Sequence, residues 1–121
     1  TGTVTSSEEL DSDDTRHSHP RFTGDALQSN LLLVERLREI AEQHAASPNQ
    51  IALAWVLDQG SDVVPIPGTK RIAYLESNIA AGEISLSEAD RVLLAEVFAP
   101  GAVTGARYGR EHAYGDSPLP A

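Results

Sequence analysis

Four residues, Val63-Val64-Pro65-Ile66, decide what this chain is able to fold into. They form a continuous apolar run between Asp62 and Pro67-Gly68, the pattern of a short strand buried on both faces of a parallel sheet. Pro65 donates no ladder hydrogen bond and is expected near the strand's end. A parallel strand needs neighbours joined through crossover helices, yet the surrounding sequence reads as helix and loop. The expected fold class is therefore α/β, mostly helical with one short parallel strand, the closing turns of a larger βα barrel or doubly wound sheet.

The helices come from periodicity and punctuation. From about Ala26 to Ala46, Leu27, Leu33, Val34, Leu37, Ile40 and Ala41 recur mostly at helical spacing, with Glu35, Arg36, Arg38, Glu39 and Glu42 facing elsewhere. Ser47-Pro48-Asn49-Gln50 reads as a capping box with Pro at the first helical position. It opens a helix to Gln59 that is apolar on every side and therefore expected to be buried, with Trp55 in the core and Gly60 as the stop. A third helix is expected from Lys70 to Ala81, with Ile72, Leu75 and Ile79 inward and Gly82 ending it. A fourth runs from Ser87 to about Phe98, with Ala89, Leu93, Val97 and Phe98 on one face, and Pro100-Gly101 closes it. Residues 1–25 read as a long polar loop, a lid or a tail, and residues 99–121 as a Gly- and Pro-punctuated tail. There is no internal repeat.

Between strand and third helix the chain passes through Pro67-Gly68-Thr69-Lys70-Arg71. Backbone N–H groups at a helix start lack intrahelical partners and sit at the positive end of the dipole, so an anion there gains hydrogen bonds and charge together. Thr69 adds a hydroxyl donor, Lys70 and Arg71 two cations. The bland alternative is a solvated helix start.

Charge makes such a site local. Nine Lys and Arg against eighteen Asp and Glu give a net −9, which repels nucleic acid and anionic membrane surfaces. A helix–turn–helix DNA reader, open on helix spacing alone, is disfavoured for the same reason. With no Cys, thiol catalysis, disulfides and Cys-based zinc sites are excluded. No apolar run approaches the roughly 20 residues of a membrane span, and no signal-like segment opens the chain. The expectation is a soluble cytoplasmic protein with no nucleic-acid or membrane partner. The absence of Met and the abrupt Thr-Gly-Thr-Val start suggest a chain cut from something longer.

Three ordered blocks, Gln50-Ile51-Ala52-Leu53-Ala54-Trp55-Val56-Leu57, Val64-Pro65-Ile66-Pro67-Gly68-Thr69-Lys70-Arg71 and Leu75-Glu76-Ser77-Asn78, together resemble the C-terminal part of the aldo-keto reductases. Their bacterial, yeast and plant branch carries the same Pro-Gly-Thr-Lys-Arg. Thr1-Gly2, Arg16 with Pro20-Arg21-Phe22, and Gly105-Ala106-Arg107-Tyr108 extend the likeness to nearly the whole chain. The resemblance implies a (β/α)8 TIM barrel that reduces aldehydes or ketones with NADP(H), in which residues 63–66 are the eighth strand and residues 1–121 a C-terminal segment of one barrel. It implies that Gly68, Thr69, Lys70 and Arg71 grip the phosphate on the adenosine ribose. Tyr74 and Asn78 would follow one and two turns on, near the ribose and adenine. Ser77 departs from the pattern, which more often has Glu before the Asn, and a carboxylate contact to the adenine end is thereby lost.

The partners so implied are a small-molecule carbonyl substrate and the remainder of the barrel. The proton-donor Tyr of that family, with its Lys, Asp and His partners, belongs to the first half of the barrel and has no counterpart here, so no catalytic residue is assigned and the segment alone is expected to be inactive and poorly stable. His17 and His19 form a His-x-His without a distinctive carboxylate set, and no metal site is assigned. His44 and His112 read as solvated. Arg21 and Phe22 either close over the cofactor's pyrophosphate or anchor their loop, and Tyr108 beside Arg107 is a candidate for the substrate mouth. The rivals are a cofactor-binding regulatory subunit of the same fold and a helical interaction module without cofactor.

Overall fold

The computed structural model describes residues 4–107. Tyr108, His112 and the rest of the expected tail lie outside them. Four α-helices carry the fold: α1 (Gly24–Gln43), α2 (Pro48–Leu57), α3 (Ile72–Ala80) and α4 (Glu88–Val97). Short 3₁₀ turns at Ser7–Glu9, Thr15–Ser18 and Pro20–Phe22 give the N-terminal loop its local structure, and a fourth at Ala81–Glu83 continues α3 where Gly82 was expected as a simple stop.

Capping sets two of the helix starts. The Ser47 backbone N–H donates to the Gln50 Oε1 at 2.9 Å at the head of α2, and Ser87 and Asp90 exchange hydrogen bonds of 2.6–3.2 Å at the head of α4. Helix α1 ends in a Schellman motif: the Ala46 N–H reaches the Ala41 carbonyl (2.9 Å) and the Ala45 N–H that of Glu42 (3.1 Å), with Ala45 left-handed at φ +48°.

The core joins α1, α2, α4 and the stretch before α4. Leu37, Ile40 and Ala41 of α1 meet Ile51 and Ala54 of α2, Leu86 and Leu94, while Trp55, Ile84 and Phe98 pack at its margin. Bidentate hydrogen bonds from Arg91 to Asp58 (2.7 and 2.9 Å) tie α4 to the end of α2. At the other end Asn30 of α1 clamps the loops. Its Nδ2 donates to the carbonyls of Arg21 (3.2 Å) and Thr104 (2.9 Å), and its Oδ1 accepts from the Thr104 N–H at 2.9 Å.

Several expectations are corrected. Among the described residues there is no strand: residues 63–66 are irregular, Val63 and Pro65 half-buried and Val64 and Ile66 exposed. A ladder needs a second strand, and none is present to supply it. Helix α3 begins at Ile72 with Arg71 as its N-cap, so Lys70 and Arg71 precede the first turn. Its apolar residues Ile72, Leu75 and Ile79 face solvent, and no α3 residue is buried. In α2 only Ile51 and Ala54 are buried, Trp55 is half-buried, and Leu57 is exposed. Both departures have one cause, apolar faces with no packing partner in the described chain.

Candidate functional site

The Pro67–Arg71 turn is shaped by Thr69. Its hydroxyl donates to the Arg71 carbonyl (3.1 Å) and accepts weakly from the Arg71 N–H (3.4 Å), folding the turn back on itself just before α3. The same Arg71 carbonyl takes the N–H groups of Tyr74 and Leu75, both at 3.1 Å, which starts the helix. The Arg71 guanidinium lies 5.6 Å from the centroid of the Tyr74 ring, a cation–π contact that holds the cation at the helix head.

Gly68, Thr69, Lys70, Arg71 and Tyr74 line one open recess of about 550 Å³. A second recess of about 650 Å³ adjoins it, sharing Gly68 and Tyr74 and adding Pro67, Asn78 and a face of α2. All six sequence-derived site residues are thus brought to this one corner. A hydrogen bond from the Gln50 Nε2 to the Ser77 carbonyl (3.1 Å) holds α3 against the start of α2 and so sets the width of the second recess. With two cations, a hydroxyl and a helix start on one side and an apolar wall on the other, the corner suits a ligand with an anionic end and a flat ring.

Sequence reasoning missed the α2 contribution. Asn49, Ala52, Leu53 and Val56 line the second recess. Their i, i+3, i+4, i+7 spacing was the available signal, hidden because α2 is apolar almost all round.

Other candidates resolve differently. Arg21 donates from Nε to the Gly105 carbonyl at 3.1 Å and Phe22 lines an apolar cavity beside α1, so both anchor the loop against the 103–105 segment. His17 Nε2 lies 3.0 Å from the Asp11 carbonyl within its own loop. His44, expected to be solvated, instead pairs its Nε2 with Oδ2 of the buried Asp90 at 3.0 Å. The Asp90 carboxyl is held below the usual carboxylate range by the Ser87 hydroxyl, then by the Ser87 N–H and His44. Asp14 is lowered further, to about 2, by the bidentate Arg16 beside it. Among the described residues no group of three or more His, Asp or Glu is placed to hold a metal, and no helix is long and apolar enough to cross a membrane.

Comparison with known proteins gives this corner a context. The model of the aldo/keto reductase family matches residues 1–97, and the chain belongs to that family. It is 47% identical over 97 residues to "Probable aldo-keto reductase 1" of Glycine max, covering 78% of this chain and 28% of that protein. It is 40% identical over 108 residues to the aldo-keto reductase yakc of Schizosaccharomyces pombe, whose name carries NADP(+), covering 89% and 32%. To the aldo-keto reductase str7 of Strobilurus tenacellus it is 36% identical over 110 residues, covering 91% and 33%. The chain therefore spans about a third of the length of these relatives. No solved structure matches it.

Proposed function

We propose that this chain is the C-terminal segment of an NADP(H)-dependent aldo-keto reductase and supplies the adenosine-phosphate side of the cofactor site. One observation carries the reading: Gly68, Thr69, Lys70, Arg71 and Tyr74 converge on one recess in a chain of net charge −9. Lys70 and Arg71 neutralise the phosphate on the adenosine ribose, the head of α3 supplies backbone hydrogen-bond donors, the Thr69 hydroxyl joins them by turning from the Arg71 carbonyl to the phosphate, and Tyr74 and Asn78 follow at the ribose and base. A phosphate fits this donor set because the two cations stand within one turn of each other and of a helix start. When bound, NADPH supplies the hydride that reduces an aldehyde or ketone. The residues here orient the cofactor and carry no proton-transfer role.

The exposed apolar residues at 64, 66, 72, 75 and 79 support the second half of the proposal, that the remainder of a (β/α)8 barrel packs against this face and brings the catalytic groups. A pure interaction module would use the same face but leaves the basic recess unexplained.

The test is a titration of the 15N-labelled chain with adenosine 2′,5′-bisphosphate and with AMP, followed by amide shifts. The bisphosphate is expected to bind roughly tenfold more tightly than AMP, with the largest shifts at residues 68–71, and Lys70→Ala with Arg71→Ala to remove that advantage. Equal affinity for the two ligands would overturn the assignment.

A further inference from the structure

The apolar stripe of α1 serves two different spaces. Leu37, Ile40 and Ala41 close the core. Earlier on the helix Leu27, Leu31 and Val34, at i, i+4 and i+7, instead line a cavity of about 470 Å³, which Phe22, Phe98 and Val103 complete from three other segments. Hydrogen bonds fasten these walls to one another. Asn30 binds the Arg21 carbonyl and both backbone groups of Thr104, and the Arg21 Nε binds the Gly105 carbonyl. Gly105, at φ +89°, runs so near the loop that a Cβ there would stand 2.9 Å from the Pro20 carbonyl oxygen. The cavity shares no residue with the basic corner at 67–78. Two arginines belong to its lining, and they differ. Arg16 gives its Nε and Nη2 to Asp14 at 2.6–3.1 Å and is neutralised there. Arg21 is half-buried and engages only its Nε, and among the described residues no carboxylate pairs with it. Its two Nη groups remain as donors in a fixed fork.

We propose that this cavity is a second binding site, for an amphipathic carboxylate whose aliphatic chain lies along Leu27, Leu31 and Val34 and whose carboxylate pairs with Arg21. The volume falls in the range of about 300–1,000 Å³ common to small-molecule sites. A guanidinium fork and a carboxylate match through two parallel hydrogen bonds, and the Arg21 Nη groups supply both donors while Nε keeps its hold on Gly105. A half-buried cation without a counter-ion gains more from such a pair than an exposed one, because its surroundings screen less. The apolar walls supply the area that a chain of several methylenes covers. A neutral amphiphile of the same length leaves the guanidinium without a counter-ion, and a short acid leaves the walls bare. The site is independent of the assignment of Lys70 and Arg71.

Titration of the 15N-labelled chain with octanoate, 1-octanol and butyrate, followed by amide shifts, tests this. Octanoate is expected to bind about tenfold more tightly than 1-octanol and at least tenfold more tightly than butyrate, with the largest shifts at residues 21–34 and 98–105. Arg21→Gln is expected to bring octanoate down to the affinity of 1-octanol while 1-octanol itself is unchanged, which shows the cavity intact. Val34→Phe, which fills the cavity, is expected to weaken octanoate and 1-octanol alike. Equal binding of octanoate and 1-octanol by the wild type overturns the role of Arg21 and with it the proposal. Shifts concentrated at residues 64–79 overturn it too, since the amphiphile is then adsorbed on the open apolar face. Both of these readings come from the wild type and need no variant to fold.

Discussion

The exposed apolar face is the feature with the largest energetic consequence. Ile66 is 93% exposed, Val64 77%, Ile72 76%, Ile79 65% and Leu75 47%. Burying one such side chain contributes about 1.5–3 kcal/mol, so the burial left unrealised across the five is on the order of 5–10 kcal/mol, comparable with the whole stability of a typical domain. The isolated chain is therefore expected to be marginally stable, to bind a hydrophobic dye and to associate as its concentration rises. Replacing Ile66 with Thr and Ile72 and Ile79 with Gln separates the two possible origins of that weakness. Substitutions at exposed positions fall within about 0.5 kcal/mol of neutral, so the triple variant should keep the parent's urea midpoint while losing most dye binding and sedimenting as a monomer. Ile51→Ala is the opposite control. That side chain is fully buried between α1, α2 and α4, and removing it costs about 2–5 kcal/mol, enough to leave the chain largely unfolded at 25 °C. The reasoning is refuted if the wild type melts cooperatively as a monomer without binding dye, or if the triple variant loses helicity, since either result means that the face is already packed within the chain.

Two further outcomes follow from the same geometry. Asp90→Ala removes the carboxylate arm of the α4 capping box and the His44 contact together, while the residue-90 N–H keeps its bond to the Ser87 hydroxyl, and is expected to cost about 2 kcal/mol in urea unfolding. Because the native Asp90 carboxyl is shifted down, its contribution is complete above the unfolded pKa of about 4 and is lost as pH falls through the native value, so helicity should fail at a higher pH in the variant than in the parent. Ala45→Gly should stabilise the chain by about 1 kcal/mol in the same assay, since Ala45 holds φ +48° at a position where glycine carries no Cβ penalty.

What the sequence made legible was local. Ser47 with Gln50 and Ser87 with Asp90 fix their helix starts through contacts three residues apart, and the pattern carries that information directly. The clustering of Gly68 to Arg71 with Tyr74 and Asn78 was legible because a turn and two helical steps bring them together. Partnership was not legible. Periodicity marked Ile72, Leu75 and Ile79 as one apolar stripe and Val63 to Ile66 as sheet material, but an apolar face states only that something must cover it, and here the described chain does not. His44 failed in the opposite sense: its partner Asp90 lies 46 residues away, on another helix, and nothing local announces it.

The two faces of α3 join these threads. Ile72, Leu75 and Ile79 form the uncovered stripe, while Tyr74 and Asn78, displaced around the same helix, line the recess beside α2. The Gln50 bond to the Ser77 carbonyl and the packing on α2 and the 81–83 turn hold this helix, while its outer stripe stays exposed. Affinity depends on how much of a site's geometry is fixed before the ligand arrives. A partner that buries the outer stripe therefore acts on the recess as well, because it fixes the helix that carries Tyr74 and Asn78. Dinucleotide affinity should accordingly be higher in a protein where that stripe is covered than in the chain alone, with no change in any residue that touches the ligand.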